Sequence, residues 1–138
     1  MATTPTGPEL AATLADLRTS VRSGAWVFVT VPDGASPPSE ARIVEDEGVT
    51  HVVARSLADE RGWDYDFVAG WITLEVVTEL ALVGLTAVVS GALADHGIPC
   101  NVLAGRHHDH LLVPLEQVDE ALLALDRLRT DATGDSVS

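Results

Sequence analysis

Two stretches of this chain share one layout. IVEDEGVTHVVARSLADE, starting at Ile43, and VLAGRHHDHLLVPLEQVDE, starting at Val102, each read as strand, turn, strand and helix when laid side by side. A hairpin with one helix cannot hide its apolar face alone, so two such units in a small chain must bury theirs together. The halves are unequal. A helix-length apolar stretch stands ahead of the second hairpin, whereas the proline-rich loop PDGASPPS precedes the first. The pattern is that of a tandem repeat with a degenerate first half.

Periodicity supplies the other elements. Thr6 and Glu9 have capping-box spacing, Pro8 suits a first turn, and Leu10, Leu14, Leu17 and Val21 recur on one helical face. Arg18, Arg22 and Gly24 are expected to end that helix. AWVFVTV, residues 25–31, reads as a strand. ARIVEDEGVTHVVAR gives two strands around a turn near Glu47 and Gly48, followed by a short helix over 56–60. FVAGWITLEVV reads as a strand, and from 82 to 96 the residues Leu82, Leu85, Val89 and Leu93 repeat at helical spacing until Gly97. IPCNVLAG and HDHLLVP are two more strands, and LEQVDEALLALDRLR is a final helix with Val118, Leu122 and Leu125 on one side. Strand, helix, strand, strand, helix is the ferredoxin-like plan of α+β proteins, an antiparallel sheet with helices on one face. The expected organisation is a degenerate repeat with an N-terminal helix over 1–65, a complete unit over 66–130 and a disordered tail over 131–138, where no apolar pattern remains.

Composition narrows the function classes. At 138 residues and 46% apolar content the chain can build a real core. No apolar run approaches the roughly 20 residues that cross a bilayer, and the first ten residues lack the basic start and apolar core of a signal peptide. A cytoplasmic protein with no membrane partner is expected. A net charge of −13 disfavours nucleic acid and anionic lipid. All eight basic residues are arginine, a skew that suggests a high-GC bacterial genome. Cys100 is alone, so one chain can form neither a disulfide nor a thiolate zinc cage.

TELALVGLTAVVSGALADHGIPCNVLAG, residues 78–105, resembles the signature of ACT domains, small regulatory modules that sense amino acids. In that signature the first helix opens around a glycine followed by an aliphatic residue. It closes with LA, two residues and GI; Val83, Gly84 and Leu85 match the opening and residues 93–98 the close. The longer run through HDHLLVP is similar to short bacterial proteins of two fused ACT-like repeats, related to CASTOR-type arginine sensors. The likeness is strongest over 70–114 and weaker over 26–62. It implies an ACT-type fold and a non-catalytic regulatory or sensor protein, without a cofactor, that binds a small amino acid at the helix entrance. The chemistry agrees, because amides without intrahelical partners at a helix start favour an α-carboxylate. Gly84 would let a ligand approach the backbone, or it merely lets helix and sheet pack closely. Glu79 could meet an ammonium or a basic side chain, or be a solvated loop acid. In the arginine-sensor relatives the turn before the last strand adds pocket contacts, with an aspartate at the ligand's basic end; Asp109 matches it, beside His107 and His108.

GRHHDHLLVP, residues 105–114, needs its own account. Alternation predicts His108, His110 and Leu112 on one strand face and Asp109, Leu111 and Val113 on the other. Two histidines on a strand could begin a metal site, yet zinc takes three or four ligands and only His107, His96 and His51 remain. HExxH and paired cysteines are absent from the sequence, and no metal is expected. GxSxG is absent too; Ser90 reads as compact helix packing, Cys100 as a small buried side chain, and Trp26, Trp63 and Trp71 as core or interface anchors. An enzyme is not expected. The alternatives are a structural or partner-binding ACT-like module without ligand and, below it, a histidine-bound metal protein or small hydrolase. CNVLAG is apolar on both faces, and pairing of two chains into a homodimer is expected.

Overall fold

The structure, a computed structural model, describes residues 8–32, 35–76 and 84–134. Its longest strand is β1 (Thr19–Val31), interrupted near Gly24, where φ is +100° and the register shifts between Arg22 and Trp26. Before this bulge Thr19–Arg22 pair with residues 71–74 of β4 (Val68–Leu74); after it Trp26–Val31 pair with residues 49–54 of β3 (Gly48–Ala54). Trp26 and Val27 also resume the β4 ladder beyond the bulge, opposite Ala69 and Val68, so β1 has β3 on one edge and β4 on the other.

That result corrects the N-terminal helix. Helix α1 covers only Pro8–Ala15, and Arg18 to Gly24, expected to be its last turn and cap, are extended chain. Leu10, Leu14 and Leu17 do reach the core, but Val21 lies in the strand and is 47% exposed. Ladder bonding to β4 outweighs a helical periodicity that had only one more apolar position to offer.

The other elements are β2 (Ala41–Glu45), α2 (Arg55–Arg61), α3 (Leu85–Asp95), β5 (Asn101–Ala104), β6 (Asp109–Pro114) and α4 (Val118–Thr133). Gly97 stops α3 as expected, with φ +70° and its amide on Ala94, while the Ile98 amide bonds Leu93. Residues 35–39 form neither helix nor strand, so the described part of the proline-rich loop stands where α3 stands in the second half. Helix α4 runs through Thr133 and closes on Gly134, so 131–133 are helical rather than tail. Thr6, Glu79, Leu82, Val83 and residues 135–138 lie outside the described residues.

All strand pairs are antiparallel, and their order, β2-β3-β1-β4-β6-β5, reads as a palindrome about the central pair. The four strands β2-β3-β1-β4 make one ferredoxin-like sheet, β1-β4-β6-β5 make another, and β1 and β4 belong to both. The helices cover one face. Ile72, Leu74, Leu111 and Val113 pack there with Leu85, Val89 and Leu93 of α3 and with Ala121 and Leu125 of α4. Val27, Val29 and Val53 pack on Ala58 of α2. The opposite face carries a second apolar cluster of Trp26, Val52, Ala69, Trp71 and Leu112. No described helix is long and apolar enough to cross a membrane.

Candidate functional site

Strand β6 divides the histidine cluster between the two faces. His110 pairs with Thr73 and Leu103 and points to the helix-free face with Leu112, whereas Leu111 and Val113 point to the helices, as alternation predicted. Asp109 opens the strand opposite Ala104 and is half-buried. The Gly105 amide donates to the His108 carbonyl at 2.9 Å and closes the turn between β5 and β6.

That turn lies at the end of the sheet where β4 leaves for α3. Glu75, just beyond β4, accepts a 2.6 Å hydrogen bond from the Ser20 hydroxyl, and its other oxygen is 3.7 Å from His108 Nε2. Gly84 is the N-cap of α3 with φ +98°, and among the described residues no side chain caps the helix. An L residue there would be strained. Leu85 is buried and packs in the core, so only its backbone could face a ligand. His107 is exposed in the turn. His108 and Asp109 thus come to the end from which α3 begins; Glu79 and Val83 lie outside the described residues.

The helix-free face holds a different arrangement, which the sequence reading missed. Ala41 of edge strand β2 and Leu103 and Ala104 of edge strand β5 line one cavity of about 240 Å³. In a flat sheet five spacings of about 4.8 Å would hold those edges roughly 24 Å apart, so the sheet curls toward this face. Arg22 lies over Trp71, its guanidinium carbon 4.0 Å from the ring centroid, and Nη1 donates to Glu40 at 2.7 Å. Trp71 meets Trp26 and His110 edge-on, each at 5.4 Å between centroids. Its Nε1–H donates to His110 Nδ1 at 3.1 Å, and the Thr73 hydroxyl lies 3.0 Å from the same nitrogen. Two groups that can donate therefore converge on Nδ1, which holds the imidazole neutral with its proton on Nε2. The buried Trp26 Nε1–H has no partner among the described residues.

Burial, then the Arg22 and His108 charges, push the His110 proton affinity below its ordinary value of 6.5, against the opposing pull of Asp109 and Glu75. The unfolded chain binds more protons than the folded one just below that value, so stability should rise with pH there. We expect urea midpoints to fall as pH drops from about 7.5 through 6.5 toward the lowered value, and the fall to be smaller in His110→Gln. An identical slope in the variant would remove His110 as the cause.

The other candidate groups have ordinary environments. Cys100 sits just before β5 rather than inside it, half-buried, and burial pushes its thiol up to about 11, so it stays protonated at neutral pH. Ser90 donates to the Thr86 carbonyl at 2.6 Å within α3. His51 is buried against Ser39, and His96 Nδ1 lies 3.0 Å from the Ala92 carbonyl. Among the described residues no three His, Cys, Asp or Glu side chains converge as a metal would require.

Comparison with known proteins places this geometry. Residues 8–70 match one ACT domain model and residues 67–127 another. The matches overlap at the start of β4, one of the two strands that belong to both sheets. A Vibrio cholerae protein of unknown function, described as a possible transport protein, is 36% identical over 88% of this chain and 96% of its own, with a TM-score of 0.79. The chain belongs to the ACT domain family. The ACT fold alone is shared with the ligand-free regulatory subunit of aspartate kinase from Thermus thermophilus, at 11% identity, TM-score 0.61, and coverage of 80% of this chain and 95% of that one. The same holds for an Agrobacterium tumefaciens protein at 16% identity and TM-score 0.62, covering 82% and 89%. No curated protein matches the sequence.

Proposed function

We propose that this ACT protein is a non-catalytic regulator that binds a small amino acid where α3 begins. The observation that carries this reading is the α3 start at Gly84, without a side-chain cap among the described residues, at the sheet end that also holds the turn leading into Asp109. First-turn amides, which lack intrahelical partners, suit an α-carboxylate, and Asp109 suits a basic group at the ligand's other end. Glu79, Val83 and the Leu85 backbone complete the carboxylate side in this reading, with His107 and His108 flanking Asp109. The likeness to CASTOR-type sensors makes arginine the first amino acid to test.

A thermal-shift screen over the amino acids provides the test, since a ligand at 100 times its dissociation constant adds about 2.7 kcal/mol of stability. With the best ligand, Asp109→Asn should weaken binding by about 1.5–3 kcal/mol in calorimetry while the fold persists. Gly84→Val should abolish binding and lower stability as well, because valine is strained at φ +98°. No response to any amino acid, or unchanged affinity in folded Asp109→Asn, would overturn the reading.

The same reading includes a homodimer. Strand β5 lies at the sheet edge, with Val102 packed toward the helices and Leu103 toward the opposite face, so its outer backbone can accept a second chain. Light scattering at micromolar concentration should give twice the 14.5 kDa chain mass; the monomer mass would refute pairing.

A further inference from the structure

The cavity on the helix-free face is not the α3 entrance, and it is equipped for a ligand of its own. Arg22 is held in place twice, by the Trp71 ring beneath its plane and by Glu40 at one nitrogen. A guanidinium has five N–H donors in a fixed fork, and among the described residues Glu40 is the acceptor Arg22 has. His110 spends Nδ1 on Trp71 and Thr73, which leaves Nε2–H without an acceptor among the described residues. Both donors line the cavity, and Leu103 and Ala41 give it apolar walls. At about 240 Å³ it is smaller than the roughly 300–1,000 Å³ of drug-sized pockets, so its occupant is compact. Two donors with no free partner call for an acceptor that carries negative charge. Glu40 beside them and a chain charge of −13 disfavour a multiply charged anion such as a phosphate ester.

We propose that this cavity is a second binding site, for a small monocarboxylic acid whose carboxylate sits on the Arg22 fork and the His110 Nε2–H. The apolar stub of the acid lies against Leu103 and Ala41. Glu40 has one oxygen on Arg22 and the other without a partner among the described residues, so among such acids it favours those that also bear an amino group.

Propionate, alanine and propionamide separate these elements, since alanine adds an amino group to propionate and propionamide removes its charge. The readout is the indole N–H resonance of Trp71 in the 15N-labelled full chain, assigned by its loss in Trp71→Phe. Propionate and alanine should shift it saturably at millimolar concentration, alanine more tightly, and propionamide should not. Arg22→Gln should weaken both acids by about tenfold or more, the fold-change that losing a charge-assisted fork implies. If Arg22→Gln fails to fold, Arg22→Lys keeps the charge but not the fork, and it should weaken both acids about fivefold. Glu40→Gln should remove the preference for alanine over propionate. Asp109→Asn should leave all of these responses intact, which keeps the result separate from the α3 reading. A response to propionamide equal to that of propionate, none to either acid, unchanged binding in folded Arg22→Gln, or loss of the response in Asp109→Asn would each overturn the proposal.

Discussion

Trp71→Ala should lower the unfolding free energy by about 3–5 kcal/mol, the usual cost of deleting a large buried ring. Trp71 is 2% exposed and lies on a central strand that belongs to both sheets. Its ring supports Arg22, packs edge-on against Trp26 and His110, and clusters with Leu112 and Ala69. No described helix packs on the curled face to move in and fill the gap. Urea unfolding measures the loss, with Trp71→Phe as the partner experiment: it keeps most of the apolar bulk but drops the Nε1–H bond to His110, and should cost less. A loss below about 1 kcal/mol in Trp71→Ala would show that this cluster is not a true core.

Gly70→Ala should also be costly, by about 1–3 kcal/mol, for the opposite reason. Gly70 faces the helices from the middle of β4, and a methyl group there would overlap Val118 Cγ2 at the start of α4 and touch Leu115. Its backbone is not in the left-handed region, so what excludes a side chain is space, not conformation. Adding Val118→Ala should therefore restore part of the loss, and the double-mutant cycle should show coupling well above the roughly 0.3–0.5 kcal/mol scatter of independent sites. Strictly additive losses would mean that Val118 is not the obstacle.

Legibility in the sequence followed the reach of each signal. The duplicated hairpin-helix, its alternation and the stop at Gly97 were readable because each is set within a dozen neighbouring residues. The turn of the first hairpin fell at Asp46 and Glu47, with Gly48 already the first residue of β3. The start of β1 was misread because Leu14, Leu17 and Val21 satisfy a helical period. What decides Thr19–Arg22 is β4, some fifty residues away, and no local pattern encodes it. That error hid the cavity on the helix-free face: with Arg22 placed at a helix end, nothing brought it near Trp71. A period-two reading of Ser20 and Arg22 against Thr19 and Val21 was the available signal. His110 was assigned to its strand face correctly, but its partners Trp71 and Thr73 come from a different strand. Glu40 was invisible because the curl that brings both sheet edges to one cavity is a property of the whole sheet.

The sharing of β1 and β4 also bears on how the chain is made. During synthesis the first unit cannot be completed when its own hairpin and α2 have left the ribosome, because its fourth strand, β4, has yet to follow. Once β4 docks on β1, its far edge stands bare until Asp109–Pro114 are made, with Ile72 and Leu74 still lacking the cover of α4, which follows β6 in the chain. The nascent protein thus passes through an obligatory stage as a half-sheet with an apolar, unpaired border. A ribosome stalled anywhere between Leu74 and Asp109 releases a fragment primed to borrow that missing strand from a neighbouring molecule.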